Sequence, residues 1–431
     1  MQITPALNYL LYEMTHTFEV LGMERLRFLL STTFYPPYHV GGDAVHVKYL
    51  AEELTRRGHE VHVFHSMDAY NVKRKNSPET VESDGICTYP IKTRFNLSSY
   101  AAYILGNSSL ITKKFDGLVD KIKPDVVHHH NISLLGHGLL KKRRGYLNLF
   151  TAHDYWLVCQ QNNLLKKGSE ICEGGSCFFC ALKCGRPPQI WRSFRSFKTA
   201  IQDIDLMICP SNYVRRRLAE EIDVKSVTLP NFAPSPPKNI SPARYSHYFL
   251  FVGMLEIHKG VLNLLQLFKE LRSEMNARLV IVGDGSLKKD VIDFIKRNSL
   301  NSFVFCKGFV DEEELYSLYK NALALVIPSI WPENAPLTAL EAISVGTPVT
   351  ASNKGGLPEI VEKVDKRLIF NDWMELKNIL LGFKKSNFPP KKLKEVYEQN
   401  FSPNVYVNKY LAMIRALGTN HQITASIQLL S

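Results

Sequence analysis

Two carboxylates eight residues apart, Glu333 and Glu341, flank a proline in the run Pro332-Glu333-Asn334-Ala335-Pro336-Leu337-Thr338-Ala339-Leu340-Glu341-Ala342. Proline has no N–H to lose and its fixed φ suits a first helical turn, so the spacing predicts a helix from Pro336 that carries Leu340, Ile343 and Val345 into a core. The amides of Leu337 and Thr338 then stand unpaired at the positive end of a helix dipole, a setting suited to a diphosphate. Glu333 falls just before that helix and Glu341 about one turn in, so one carboxylate can face a hexose and the other a ribose diol. Asn334 and Ala335 complete this donor face. A bare glutamate pair at this spacing is common and reads as a solvated helix face. Here the flanks decide: a strand, Leu323–Ser329, leads in, and Gly346–Ser352 leads out into Gly355-Gly356-Leu357-Pro358-Glu359-Ile360-Val361.

The elements that must position these residues alternate strand with helix, the pattern of parallel sheets wrapped by helices. One series runs from Arg27–Thr32 through a helix at Ala44–Arg57, then Val61–His65, Asp125–His130, Leu147–His153, Asp205–Pro210 and Ser226–Pro230. A second comprises Tyr248–Gly253, Leu279–Gly283, Val304–Gly308, Leu323–Ser329, Pro348–Ser352 and Leu368–Phe370. The expected organisation is an appended N-terminal extension (1–22), a first domain (23–230) with a Cys-rich insertion at 155–190, and a Pro-rich linker (231–247). A second domain (248–400) and a crossover helix with tail (401–431) follow. In doubly wound sheets ligands bind beyond the carboxyl ends of strands, so functional residues belong there.

The acidic segment resembles the retaining glycosyltransferases of family 4, whose pair is written Glu, seven residues, Glu. The resemblance implies the GT-B architecture: an α/β fold of two Rossmann-like domains facing each other across a cleft, the last helix crossing back to the first. It carries over to three other strand ends. Gly41-Gly42, between the first strand and helix, matches the loop that closes over donor phosphates and sugar. Asp125–His130 resembles the family's Asp-Val-Val-His-x-His segment, which makes His130 the histidine contacting the transferred sugar. Strand alternation points His129 away from its neighbours, so His128-His129-His130 is not a chelating face, and His128 reads as a packed core residue. Tyr248–Gly260 resembles the Val-Gly-Arg-Leu…Lys-Gly signature, with Lys259 pairing the donor diphosphate. Gly283 falls at a turn expected near the nucleobase, and His153 with Asp154 fall where an acceptor enters.

The chemistry implied is metal-independent transfer of a hexosyl group from a nucleotide-diphosphate sugar, such as a UDP- or GDP-sugar, to a glycan or lipid-linked acceptor, with anomeric retention. No cofactor beyond the donor substrate is expected. Lys259 and the amides at Leu337 and Thr338 take the negative charge that develops on the leaving group, and Glu333 the positive end. The chain departs from the pattern at Met254, where an arginine is usual; Lys307 or Lys354 is expected to substitute. Asp203-Ile204-Asp205 has the look of a metal motif, but its place between helix end and strand start assigns it a structural role.

Five of the eight cysteines, Cys159, Cys172, Cys177, Cys180 and Cys184, crowd into the insertion. Cys177-Phe178-Phe179-Cys180 has zinc-knuckle spacing, so a structural zinc is weighed against separate buried thiols. Gly185–Lys198 interleaves aromatics with cations, and Lys141-Lys142-Arg143-Arg144 adds a second basic patch in a chain of net charge +12. Both suit peripheral contact with an anionic membrane surface; the alternative for the first is a helix with a buried aromatic stripe. No apolar run is long enough to span a bilayer, and residues 1–22 lack a basic leader, so a cytoplasmic location is expected. Three rival readings stand beside the transferase: another GT-B activity such as a glycogen-synthase-like polymerase or a nucleotide-sugar epimerase, a donor-binding but inactive protein marked by Met254, and a basic nucleic-acid-binding protein with a Cys knuckle. No recognition-helix or RNA-binding signature supports the last, so no nucleic-acid partner is expected.

Overall fold

The computed structural model describes residues 25–73, 85–93, 97–143, 145–166, 170–172, 174 and 176–429, with side chains to 418. The expected extension 1–22 and Arg144 of the basic patch lie outside these residues. The chain forms β1 (Arg27–Ser31), β2 (Glu60–Ser66), β3 (Ile86–Ile91), β4 (Val126–His129), β5 (Leu147–Thr151), a small hairpin of β6 (Leu165–Lys166) and β7 (Glu170–Ile171), then β8 (Leu206–Cys209) and β9 (Ser226–Thr228). The second half adds β10 (Tyr248–Val252), β11 (Arg278–Val282), β12 (Val304–Gly308), β13 (Leu325–Ile327), β14 (Val349–Ser352) and β15 (Ile369–Phe370).

Two parallel sheets result, ordered β3-β2-β1-β4-β5-β8-β9 and β12-β11-β10-β13-β14-β15. Each strand order reverses once, between β1 and β4 in the first sheet and between β10 and β13 in the second. At such a reversal successive helices leave to opposite faces, and the diverging loops open a crevice. The four loops that leave these strands carry Gly41-Gly42, His130, Lys259 and Glu333, which is why residues scattered through the sequence meet in one cleft.

Strand β3 is absent from the sequence reading because Pro90 interrupts it. Proline has no N–H to donate to a ladder, but β3 is an edge strand paired only with β2, where Pro90 lies opposite His65. The long helix Pro403–Leu429 returns to the first half: Tyr406, Val407, Tyr410 and Ile414 pack with Phe28, Leu30 and Val63 beneath its sheet. No helix among the described residues is long and apolar enough to cross a membrane.

Candidate active site

The helix carrying Glu341 begins at Leu337 and ends at Ser344. Pro336 is its N-cap rather than its first residue, with φ −68° and an extended ψ of 129°. The expected consequence for the backbone survives that shift, since the first amides of any helix have no intrahelical acceptor. The Gly-Gly loop comes to the same point: a Cβ at Gly42 would sit 3.8 Å from Leu337 Cδ1 across the cleft, and Gly41 adopts φ +93°.

Glu333 is almost wholly buried. Its Oε1 accepts from Lys259 Nζ at 2.6 Å and from Ser329 Oγ at 2.6 Å. Burial alone raises a carboxyl, yet the Lys259 ammonium and these hydrogen bonds outweigh it, so Glu333 is held below the usual carboxylate range and stays ionised. Lys259 also lies 5.0 Å above the Trp331 ring, which restricts the ammonium to the Glu333 side of the cleft. Glu341 is in the opposite electrostatic situation. Burial lifts it to about 7, against the hydrogen bond it accepts from the Tyr319 hydroxyl at 2.9 Å, and nearby Glu312 adds to the rise. The two glutamates thus differ in charge near neutrality because only one has a cation.

On the facing wall, His130 Nδ1 and His153 Nε2 are 2.9 Å apart and their rings stack at 5.1 Å. His46 packs edge-on to His153 at 5.0 Å, and Asp43, one residue after the Gly-Gly pair, accepts from Asn131 at 2.7 Å. Burial keeps His46, His128 and His130 neutral and pulls His153 down to about 4 despite Asp43, so this wall presents uncharged imidazoles. His130 Nε2 is buried with no protein partner among the described residues, an unmet capacity that a ligand hydroxyl can satisfy. His128 spends both nitrogens, on the Tyr410 hydroxyl and on Thr151 Oγ1, and His129 turns to the opposite face to meet Ser31. Asp154 is raised to about 7 by burial; its carboxyl accepts from Trp156 N and Asn162.

Several of the expected residues also have contacts within the protein. Asn334 and Ala335 hold the halves together: the Asn334 amide donates to His153 O, and Ala335 O accepts from Asn231 Nδ2 at 2.9 Å. Only Asn334 Oδ1 is left without a partner. Gly283, with φ +140°, is pressed against the Gly253 carbonyl, where a Cβ would lie at 1.9 Å; it supports the loop before Lys259 by close packing. Lys307 is engaged by Glu314 and stacks on Tyr245, so it cannot stand in for the arginine missing at Met254. Lys354 has no acidic partner among the described residues and precedes Gly355, which touches the Glu333 backbone. In the second basic patch, Lys142 is paired with Asp205 and Arg143 with Asp116, while Lys141 is exposed. Asp203 and Asp205 tie down Lys142 and Asn148, a structural use. Among the described residues no three His, Cys, Asp or Glu side chains gather closely enough to hold a metal. The knuckle cysteines lie on one short helix, Cys177–Lys183, and all eight are free thiols.

Residues not anticipated from sequence include Ser329, Tyr319, His46 and the Gly355-Gly356 pair. A Cβ on Gly355 would meet Glu333 O at 2.1 Å and one on Gly356 would meet Asn334 O at 2.0 Å, so this pair is the floor on which the Glu333 loop rests. Three residues on, Glu359 reaches the other half and accepts from the amides of Asn212 and Tyr213, each at 2.8 Å. The Gly-Gly-Leu-Pro-Glu run was the signal, read before only as a flank.

Two Rossmann-like halves meeting at this cleft define a GT-B glycosyltransferase, and comparison with known proteins agrees. Residues 238–399 match the family of glycosyl transferases group 1, and residues 40–234 match glycosyltransferase family 4. The chain belongs to these families and is a transferase enzyme. An uncharacterised glycosyltransferase of Methanocaldococcus jannaschii is 27% identical over 344 residues, covering 78% of this chain and 83% of that protein. The alpha-monoglucosyldiacylglycerol synthase of Streptococcus pneumoniae is 23% identical, covering 77% of this chain and 72% of its own. Among solved structures, sucrose-phosphate synthase of Thermosynechococcus elongatus superimposes with a TM-score of 0.65 at 18% identity, covering 93% of this chain and all of that one.

Proposed function

We propose that the protein moves a hexosyl group from a nucleotide-diphosphate sugar to a glycan or lipid-linked acceptor, with anomeric retention and without a metal ion. The observation that carries this reading is the Lys259–Glu333 ion pair set beside the Leu337 helix start, opposite Gly42 and the neutral imidazole wall. A cation and free amides stand where a leaving diphosphate gathers charge, and an ionised carboxylate stands where the sugar turns cationic. Lys259 exchanges its hold on Glu333 for the diphosphate, and the released carboxylate orients the hexose hydroxyls. Glu341, at the same helix, accepts from the ribose diol. The bond from C1 to the diphosphate oxygen breaks, the acceptor oxygen bonds to C1 on the same face, and the acceptor proton passes to the departing phosphate. His130 offers its open Nε2 to the transferred sugar. Lys354 supplies the second cation that Met254 does not. A lipid acceptor draws support from the diacylglycerol relative.

The test is a thermal-shift and hydrolysis screen of wild type and Glu333→Ala against UDP-, GDP- and ADP-sugars with chelator present. One donor is expected to stabilise the protein and to be slowly hydrolysed by wild type alone. Stabilisation without turnover in either protein would favour the inactive donor-binding reading, and a donor requirement for divalent metal would remove the metal-independent one.

A further inference from the structure

A cavity of about 490 Å³ lies outside the cleft, at the Cys-rich insertion. Leu157, Phe178, Ile190, Phe197 and Lys198 line it together with Arg192. Arg192 is held in an aromatic box, 4.9 Å from the Trp191 centroid and 5.5 Å from those of Trp156 and Phe197. Its Nε donates to Gln189 at 2.6 Å and its Nη1 weakly to Leu157 O at 3.4 Å, while Nη2 is buried with no partner; among the described residues no carboxylate forms an ion pair with the group, and Asp154 acts on it only through space. The one acid on the cavity wall, Glu221, is taken by Arg217 at 2.8 Å. Burial lowers Arg192 only to about 10, so it remains a cation at neutral pH. An unpaired buried guanidinium is costly to keep, and an anion entering the cavity removes that cost.

The surroundings indicate what kind of anion. Phe178 and Ile190 on the cavity wall, and Phe179, Leu182 and Phe194 in the same two segments of chain, are large apolar side chains 44 to 62% exposed, an apolar rim. Trp191 Nε1 donates to Tyr103 O at 3.1 Å, which joins this rim to the uncharged helix Leu97–Leu105, itself exposing Leu97 and Leu105. Exposed apolar side chains clustered in this way mark a surface that something apolar covers. Lys183, Arg186 and Arg195 are interspersed and exposed. The cavity is also wired to the cleft. Leu157 and Trp156 contact Arg192, and the adjoining Tyr155 hydroxyl donates to Pro332 O at 3.0 Å, one residue before Glu333.

We propose that the Arg192 cavity seats the phosphate of an amphiphilic acceptor while the apolar rim takes its hydrocarbon chain. This deepens the transferase reading and rests on it for the word acceptor. The segment Gly185–Lys198 then unites both sequence-based alternatives: Trp191 and Phe197 are the buried stripe, and Ile190 and Phe194 the interfacial fringe.

Calorimetric titration of the full chain with dodecyl phosphate below its micellar concentration tests this, alongside inorganic phosphate and neutral dodecyl maltoside. Wild type is expected to bind dodecyl phosphate far better than either control, and Arg192→Gln to weaken it about 10- to 100-fold, the range for one lost charge-assisted contact. Cys177 lines the cavity, so dodecyl phosphate should also slow maleimide labelling of that thiol in wild type, read by peptide mass. This measurement decides the matter if Arg192→Gln does not fold. Equal binding of inorganic phosphate overturns the amphiphile, equal binding of the maltoside overturns anion recognition, and unchanged affinity in Arg192→Gln overturns the site. Concentration-dependent dimerisation that dodecyl phosphate does not reverse would assign the rim to a second copy of this chain instead. Nucleotide-sugar binding and hydrolysis by the same wild-type preparation are measured in parallel. If they persist while dodecyl phosphate fails to bind, only this inference falls.

Discussion

Lys259→Met isolates the ion pair at the centre of the cleft. The substitution keeps the length of the side chain and removes its charge, leaving the Glu333 carboxylate with 6% of its side chain exposed and no cation beside it, though Ser329 still donates to it. Breaking a fully buried pair costs about 3–5 kcal/mol, but the Lys259 side chain keeps 20% of its exposure, so about 2–3 kcal/mol is the better expectation. Adding Glu333→Gln removes the stranded charge and should restore most of that stability. It should not restore turnover, which we expect to fall roughly 100- to 1000-fold in the single variant, the loss typical of one donor to a developing anion. The pH dependence carries the sharper signature. In wild type Glu333 lies below its unfolded pKa, so its stabilisation is present above that pKa and lost as pH falls through the folded value. In Lys259→Met burial outweighs the hydrogen bonds that remain and raises the folded pKa, so stability is full at low pH and lost as pH rises. Melting curves from pH 4.5 to 8 should therefore show the gap between wild type and variant widening with pH. A constant gap, or a double variant less stable than the single one, would refute this account of the pair.

Glu341→Gln should stabilise the protein by up to roughly 3 kcal/mol at pH 8 and by nothing near pH 4.5, because a carboxyl raised to about 7 costs stability only once it ionises; melting temperatures at the two pH values check it. In wild type, nucleotide-sugar affinity should drop as pH falls below about 7, when Glu341 takes up its proton and loses acceptor capacity. Gly355→Ala alters no charge, yet its Cβ would meet Glu333 O at 2.1 Å with φ at +64°, so turnover should fall at least 100-fold with a lower melting temperature, and near-normal activity would contradict the packing described. Glu359→Ala removes contacts that are partly solvent-exposed, so stability should change by no more than about 1 kcal/mol while KM for the donor rises several-fold, measured by initial rates.

The alternation of strand and helix was legible because buried parallel strands read as continuous apolar runs, and the strand ends carrying Gly41, His130, Lys259 and Glu333 followed from that order. What escaped was long-range or compensated. Pro90 concealed β3 because edge pairing cannot be inferred from a single strand. The contact of Asn334 with His153 could not be read from sequence, because the two lie 181 residues apart. Lys142 and Arg143 counted as free charge until their partners Asp205 and Asp116 came into contact. The interleaved aromatics and cations of 185–198 were visible, whereas the division into Arg192 inside and Phe194 outside depends on a fold that repeat spacing does not encode.

The helix Pro403–Leu429 has a consequence for how the protein is made. Tyr406, Tyr410 and Ile414 fill the underside of a sheet whose first strand begins at Arg27, and the Tyr410 hydroxyl holds His128 at 2.9 Å, two residues before His130. During synthesis the first half emerges with that face uncovered and waits for the last part of the chain to arrive. Its imidazole wall therefore reaches final order only after the second half has been translated, so an abandoned nascent chain would expose an apolar sheet and lack a finished imidazole wall.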